Sequence, residues 1–526
     1  RDTDRSRGLG DVYKRQRLYQ EEFARRNLGK RRITVLIMRI LIADFEIAKY
    51  GGIIEHVSAK VKALKALGHF VDIAQLTAAS TTQRTYENKV KKLEQGKFQE
   101  GLKINSQNGG YEYDEATGYW KNNYYGFFLP PSNRIGVFEE NALERWRKLV
   151  SSFDLIMWNF MPTKSSVWGE KDFSFWWKFY DLPTSKIKQI FIAHDAYFDV
   201  RASNVTALRE KILFIECAHI AAYRCCEHLG IPRTLLLNPR YLEKGAKMPI
   251  RMMNKRGIDF FAAHIFKSMK HVDDLIRAVP YFNEEWVSNS HDEQYFPFSV
   301  EIAGSGIEQA YMVAPTKCKE PYKVSLKRDP DAPQEWIGKK IWDRAEAHGM
   351  TYLGQISSEE VNRKLLNSKF AVDPSWAAHY SQYCHTHING FIIEAMLNGC
   401  YPVLRDYRGL DKKVNEDFYD PLFESINAIY IPWNATPKEF AKALKKAARM
   451  SPAKYLKDTR ENFALVHEVF NATENMKEVI RLVKGGERLV KKELAKGKDS
   501  PTVKKITREI MEDFYHIELP IEWETD

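Results

Sequence analysis

The sequence has few cysteines, no long apolar run and no excess of acidic residues. Its six cysteines among 526 residues include no CxxC pair and no zinc-type spacing with histidine, which predicts a reduced, cytoplasmic protein without structural zinc. No apolar stretch reaches the ~18–20 residues needed to span a bilayer, so we expect no membrane partner. These absences exclude a disulfide-stapled secreted module and a membrane-spanning protein.

The net charge of +11 is unevenly distributed along the chain. Residues 1–37 contain eleven basic and five acidic residues, show no hydrophobic periodicity and resemble translated adapter sequence. We therefore interpret this segment as a non-native or disordered extension, with the natural start near Met38. The segment contributes +6 and leaves +5 for the rest of the chain, which permits a polyanionic partner without requiring one.

Two stretches of the chain alternate between strand and helix periods. In the first, a strand ending at Ile40–Ala43, a helix from about Ile53 to Leu67 and a strand at Val71–Leu76 form a βαβ unit, which implies a parallel sheet. The second stretch begins at Asp259–Ala263. We predict an α/β protein of two facing Rossmann-like domains, with ligands bound in the cleft at the carboxyl ends of the strands. The predicted boundaries are 38–245 for the N-terminal domain with a hairpin insertion near 80–140, 246–470 for the C-terminal domain with an insertion near 308–345, and 471–526 for a helical tail.

The two predicted insertions contain patterns that need interpretation. Residues 108–128 are rich in Tyr, Gly and Asn, which predicts one or two hairpins that either cover the sheet edge or form an acceptor-binding flap. The second insertion contains Asp329-Pro330-Asp331, which has the spelling of a metal-binding DxD motif. It lies in a proline-bounded loop and not after a strand, so we interpret it as a solvated turn and predict no metal site.

Three places carry residue types suited to chemistry. Gly51 and Gly52 lie between a predicted strand and a helix N-terminus, where backbone N–H groups can approach an anion; a tight turn without a ligand is the alternative. Glu394 lies in the otherwise apolar helix GFIIEAMLNG, so it needs a partner or a place near the cleft. His194 and Asp195 directly follow an apolar strand, where aspartate can activate an acceptor hydroxyl. A helix N-cap for Asp195 and a core histidine for His194 are the alternatives.

The segment GFIIEAMLNGCYPVL resembles the core motif of retaining GT-B glycosyltransferases, and GGIIEHV, SMKHVDDLIRAV, IAGSG, MTYLGQISSEE and VDPS follow in the family's order. The resemblance implies that Glu394 binds the ribose hydroxyls of a nucleotide-sugar donor. It also implies that the helix N-terminus at Asn389, Gly390 and Phe391 faces the donor diphosphate. A family member of this kind needs no cofactor, because the donor, here UDP-glucose, is a substrate.

The sequence departs from the family pattern at two places. Thr386 stands where the family has a second glutamate, eight residues before Glu394. The family's donor-site arginine is also missing: Lys270 keeps the position of the family's lysine, and Lys267 or His264 would replace the arginine. Ordinary surface lysines are the alternative interpretation of Lys267 and Lys270.

Within this fold the order MWNFMPTKSS, IFIAHDAYFDVRAS and LLNPRYLE resembles the DNA α-glucosyltransferases of T-even phages. By that resemblance Asp195 and His194 are catalytic and Arg201 contacts the acceptor. The protein would move glucose from UDP-glucose to 5-hydroxymethylcytosine in duplex phage DNA, in the host cytoplasm. Transfer to a polysaccharide or lipid-linked glycan and nucleotide-sugar epimerisation are the alternatives. Lys121 and Arg134 are predicted to extend the basic acceptor surface.

Overall fold

A computed structural model gives the structure of the protein. It describes residues 37–44, 52–77, 111–114, 119–122, 127–128, 133–137, 139–159, 178–183, 186–194, 210–218, 222–223, 226, 230–237, 239–243, 245–249, 253–264, 272–287, 298–304, 342–354, 356–375, 388–406, 422–432 and 435–494.

The first half of the chain forms a seven-stranded sheet in which every pairing is parallel. Its strand order is β10-β9-β8-β7-β1-β2-β6, so later strands are added on both sides of β1. A separate antiparallel sheet, β3-β4-β5, lies in the segment for which hairpins are predicted. The elements are β1 (Arg39–Asp44), α1 (Gly52–Ala66), β2 (Phe70–Thr77), β3 (Tyr111–Asp114), β4 (Tyr119–Asn122), β5 (Phe127–Phe128), β6 (Arg134–Gly136), α2 (Ala142–Val150), β7 (Leu155–Trp158), β8 (Lys188–Ala193), β9 (Phe214–Cys217) and β10 (Arg233–Leu235).

The second half forms a six-stranded parallel sheet with the order β13-β12-β11-β14-β15-β16. Here later strands are added on both sides of β11. The elements, which follow a 3₁₀ turn at Met253–Lys255, are β11 (Ile258–Ala263), α3 (Val272–Val287), β12 (Val300–Ala303), β13 (Met350–Tyr352), α4 (Ser358–Asn367), β14 (Ser368–Asp373), α5 (Gly390–Leu397), β15 (Tyr401–Asp406), α6 (Leu422–Ser425), β16 (Ile429–Pro432), α7 (Pro437–Ala448), α8 (Pro452–Val469) and α9 (Ala472–Leu494).

Both sheets are buried on two faces, because helices and loops cover each side. The strands of the first sheet are accordingly almost continuously apolar, as in RILIAD and KQIFIA, which is the pattern of a parallel sheet covered by crossover helices. In the second sheet, α3 and α7 pack together over one face around Phe260, Phe282 and Phe440.

The last helix, α9, packs on the first sheet and not on the second. Met476, Val479 and Val483 share one buried cluster with Ile42 of β1 and Val57 of α1. The chain returns from the second half to the first at an isolated parallel bridge between Arg240 and Asn471. Two backbone hydrogen bonds form this bridge: Arg240 N–H donates to Phe470 O at 2.6 Å, and Ala472 N–H donates to Arg240 O at 2.8 Å. At this bridge the two passages of the chain between the halves pair with each other.

Arg256 holds two helices of the second half against each other. Its guanidinium donates to the carbonyls of Leu365, Leu366 and Ser368 at 2.9–3.0 Å and to that of Asn398 at 2.9 Å. These carbonyls lie at the carboxyl ends of α4 and α5, where a cation satisfies unpaired acceptors and the helix dipoles. Arg256 is buried, so it fixes the position of α5.

Candidate functional site

A chain of polar side chains lies at the carboxyl ends of β1, β7 and β8 in the first sheet. Asp44 ends β1, and its Oδ2 accepts from Asn159 Nδ2 at 2.7 Å. Asn159 Oδ1 lies 3.1 Å from His194 Nε2. Because the Asn159 amide nitrogen is committed to Asp44, its oxygen is the acceptor, and His194 is assigned its proton on Nε2. In the neutral ring His194 Nδ1 is then an acceptor that can take a hydrogen bond from a hydroxyl group.

Three buried ionisable side chains form a contact chain that begins at His194. His56 Nδ1 lies 3.4 Å from His194 Nε2, and His56 Nε2 lies 3.8 Å from Glu216 Oε1. Glu216 in turn pairs with Lys60, and all three side chains are buried. Burial lowers the pKa of His56 well below its ordinary value, and the neighbouring cations Lys60 and Arg240 lower it further. His56 is therefore a neutral ring that fixes His194.

Burial shifts both members of the Lys60–Glu216 pair toward their neutral forms. It lowers the pKa of Lys60 and raises the pKa of Glu216, while the charge of each partner opposes the shift of the other. Such a pair is costly to bury and very costly to break, because a single charge would remain without its counterion. The pair fixes the spacing between α1 and β9 beneath the histidines.

In the second sheet the corresponding place is the N-terminus of α5. Asn389 is the N-cap: its Oδ1 accepts from Ile392 N–H at 3.1 Å, and its Nδ2 donates to Asp373 at the end of β14. Asp373 Oδ1 accepts from Ser375 Oγ at 2.6 Å and from Ser375 N–H at 3.1 Å. These contacts fix the N-terminus of α5, whose first N–H groups have no acceptor one turn earlier in the helix, and such a terminus suits an anion.

His264 follows β11 and packs beside the same helix. Its Nε2 lies 3.1 Å from Val372 O and 3.7 Å from Asp373 Oδ1, and its ring contacts Phe391 edge-on at a centroid distance of 5.0 Å. His264 is buried. The His264 ring is thus in contact with β14 and Phe391 beside the N-terminus of α5, and its replacement of the family's arginine stays a prediction.

Glu394 and Arg240 bring the two polar groups together. Glu394 lies one turn into α5, and its Oε1 is 3.5 Å from Arg240 Nη2. Arg240 also lies close enough to His56 to affect its pKa. The site therefore lies between the carboxyl ends of β1, β7 and β8 in one sheet and the N-terminus of α5 in the other. In each sheet this is the place where successive strands are added on opposite sides of the first strand, and parallel sheets bind ligands at such places.

The structure places some of the predicted site residues and not others. It brings together His194, Glu394, Asn389, Gly390 and Phe391 at this site, and Gly52 begins α1. Lys121 lies in β4, and Arg134 lies in β6 opposite Gln75. Asp195, Gly51, Lys267, Lys270, Arg201, Thr386 and Asp329-Pro330-Asp331 lie outside the described residues.

Sequence reasoning did not single out five residues that the structure places here. They are Asp44, Asn159, His56, Asp373 and Arg240. Asp44, Asn159 and Asp373 each end or follow a run of apolar strand residues, so a search for polar residues at strand ends would have found them. His56 and Arg240 lack such a local signal.

Two further findings concern metals and membranes. In the part of the chain that the structure describes, no group of three His, Cys, Asp or Glu side chains could hold a metal ion. Among the helices described, none combines the length and apolarity that a membrane crossing requires.

Comparison with known proteins identifies the fold. No protein-family model matches the sequence, and no curated protein matches it. An alpha-glucosyltransferase in complex with UDP-glucose and DNA containing an abasic site superposes with a TM-score of 0.50 and 12% identity, covering 85% of this chain and 99% of that one. A variant of S. aureus TarM in complex with Fondaparinux, alpha-GlcNAc-glycerol and UDP gives a TM-score of 0.50 and 11% identity with the same coverage. The chain has the GT-B fold. The expected α/β class with two Rossmann-like domains is thereby confirmed for this GT-B chain.

Proposed function

We propose that this protein is a retaining glycosyltransferase that takes a sugar from a UDP-sugar donor. The observation that supports the proposal most directly is the N-terminus of α5, capped by Asn389, with Glu394 one turn along the helix. Backbone N–H groups at such a terminus bind a diphosphate, and a carboxylate one turn away can accept hydrogen bonds from the ribose hydroxyls. The similar structures named above contain UDP or UDP-glucose.

The proposed chemistry is transfer on one face of the sugar. The bond between the anomeric carbon and the diphosphate oxygen breaks as the acceptor oxygen bonds to the same face of that carbon. The diphosphate charge develops toward the N–H groups of α5 and toward Lys270, which stabilise it. Asp195 takes the proton of the acceptor hydroxyl, and His194, held by Asn159 and His56, orients that hydroxyl through Nδ1.

For the acceptor we propose the hydroxymethyl group of 5-hydroxymethylcytosine in duplex DNA. The alpha-glucosyltransferase structure that shares this fold contains DNA, and His194-Asp195 follows a strand as in the resemblance described above. Reaction at a base substituent requires the base to leave the stack. The TarM structure, which contains alpha-GlcNAc-glycerol, supports a glycan acceptor as the second candidate.

Incubation with nucleotide sugars and two acceptors tests these proposals. We expect UDP-glucose to add one hexose to 5-hydroxymethylcytosine DNA, detected by mass analysis of the released nucleosides. Modification of a glycerol-based glycan in place of DNA would identify the second candidate. Hydrolysis or epimerisation of the donor, equal with and without acceptor, would reject transfer altogether.

Substitutions separate donor binding from transfer. Glu394→Ala should abolish UDP binding measured by calorimetry, because the ribose loses its acceptor. Asp195→Asn should keep UDP binding and remove transfer. Glu461→Ala, a change at a half-exposed carboxylate on α8, should alter neither. Full transfer by Asp195→Asn would show that another group activates the acceptor.

A further inference from the structure

Arg240 occupies an unusual position for a residue of an interdomain connection. Its backbone pairs with Asn471 where the chain crosses back, but its side chain extends to the first turn of α5. Arg240 Nη2 lies so close to Gly390 that a methyl group on Gly390 would clash with it. The guanidinium therefore lies beside the first residue of α5, next to the place where the donor diphosphate is proposed to bind.

The side chain is buried but poorly paired. Arg240 is 8% exposed, and its Nε has no hydrogen-bond partner among the described residues. Nη1 donates to Pro239 O at 3.2 Å, and Nη2 is 3.5 Å from Glu394 Oε1, which is longer than a good charge-assisted hydrogen bond of about 2.7–2.9 Å. A buried cation with spare donors requires an anionic partner.

We propose that Arg240 binds the diphosphate of the donor, so that the anion is held between the N–H groups of α5 and a guanidinium supplied by the interdomain connection. The inference rests on the proposed function and names a residue of that same site. It accounts for the missing arginine of the second domain, because Arg240, at the bridge to Asn471, supplies the positive charge instead. Arg240 would exchange its long contact with Glu394 for phosphate oxygens and leave Glu394 to the ribose.

A comparison of UDP with uridine isolates the phosphate contribution. Arg240→Met in the full chain should weaken UDP binding about tenfold to a hundredfold, the value of a charge-assisted hydrogen-bonded contact. Uridine binding should stay within about twofold, because the nucleoside does not reach Arg240. Arg240→Lys keeps the charge but not the planar fork, so its UDP affinity should lie between those of the wild type and Arg240→Met. Arg363→Met, at an exposed arginine of α4, is the matched control for the loss of one positive charge and should change neither affinity.

The outcomes are distinguishable. Unchanged UDP affinity in Arg240→Met would overturn the inference while leaving the donor site in place. An equal loss of uridine and UDP affinity, in either Arg240 variant, would show a general disturbance of the site and would also overturn it. If the wild-type protein binds none of UDP, ADP, GDP and CDP, both this inference and the proposed function are wrong.

Discussion

At the scale of single residues, the two neighbouring histidines are organised by the protein groups around them. Asn159 holds the His194 proton on Nε2, and burial keeps His56 neutral. Both contacts are made by groups of the protein itself. In the proposed transfer, the side of the site assigned to the acceptor is therefore preorganised, which lowers the reorganisation cost of the reaction.

Buried neutral His56 makes stability depend on pH. Its folded-state pKa lies below the ordinary value of 6.5, so below that pH the unfolded chain binds a proton that the folded protein refuses. Stability is then full above pH 6.5 and is lost as the pH falls, by up to about 1.4 kcal/mol per pH unit. In His56→Gln this slope should decrease, as measured by urea unfolding from about pH 5 to about pH 8.

The slope, and not the absolute stability, is the decisive quantity in that experiment. Ser451→Ala removes the N-cap of α8 and no titratable group, so it should reproduce the wild-type slope. An undiminished slope in His56→Gln would mean that other histidines account for the acid sensitivity; His69 and His467, whose pKa burial also lowers, are the ones to substitute next.

At the scale of elements, α5 is the part of the site that both sequence and structure identify. Asn389→Ala removes its N-cap and a partner of the buried Asp373 carboxylate. The unfolding free energy should fall by about 1–3 kcal/mol. UDP affinity should fall as well, because the N–H groups of α5 that are proposed to bind the diphosphate are no longer held in place by the cap. Chemical denaturation and calorimetry measure the two effects.

A second cap serves as the control for Asn389→Ala. Ser451 caps α8 through Lys454 N–H at 3.3 Å, on a helix that begins away from the site. Ser451→Ala should cost about 1 kcal/mol and leave UDP affinity unchanged. A parallel loss of UDP affinity in both variants would refute the specific role of Asn389.

The elements also show what the sequence could predict. The amphipathic segment of α1 has the period of a helix and not of a strand. The apolar segment of α5 is recognisable because Glu394 interrupts it. By contrast β9 and β10 are strands of four and three residues, too short for a period to be recognised. Neither strand is predicted in the sequence analysis, so Glu216 of β9, which pairs with Lys60, could not be recognised as part of the site.

At the scale of the whole molecule, Arg240 could not be found from its neighbours in sequence. Its role depends on the return of the chain at Asn471 and on a helix contributed by the other half. The same holds for His56, which meets His194 and Glu216 only through folding. Local pattern predicts strands, helices and single polar residues, but contacts between distant segments require the fold itself.

The packing of α9 on the first sheet gives a prediction at this scale. Met476 is fully buried beside strands of the first sheet, so Met476→Ala should lower the unfolding free energy by about 2–5 kcal/mol. Lys477→Ala, at an exposed neighbour, should change it by less than about 0.5 kcal/mol. Denaturant unfolding of the two variants makes the comparison. Equal effects would mean that α9 does not belong to the first core.

The return of α9 to the first sheet also has a consequence for synthesis on the ribosome. The first sheet is translated early, but one of its covering helices, residues 472–494, is translated last among the described elements. Until then the part of this apolar face that α9 covers, which α1 does not reach, stays open to water, where it can attract other nascent chains. We expect the growing polypeptide to need a chaperone for most of its translation, and the first half to close only when the final helix emerges.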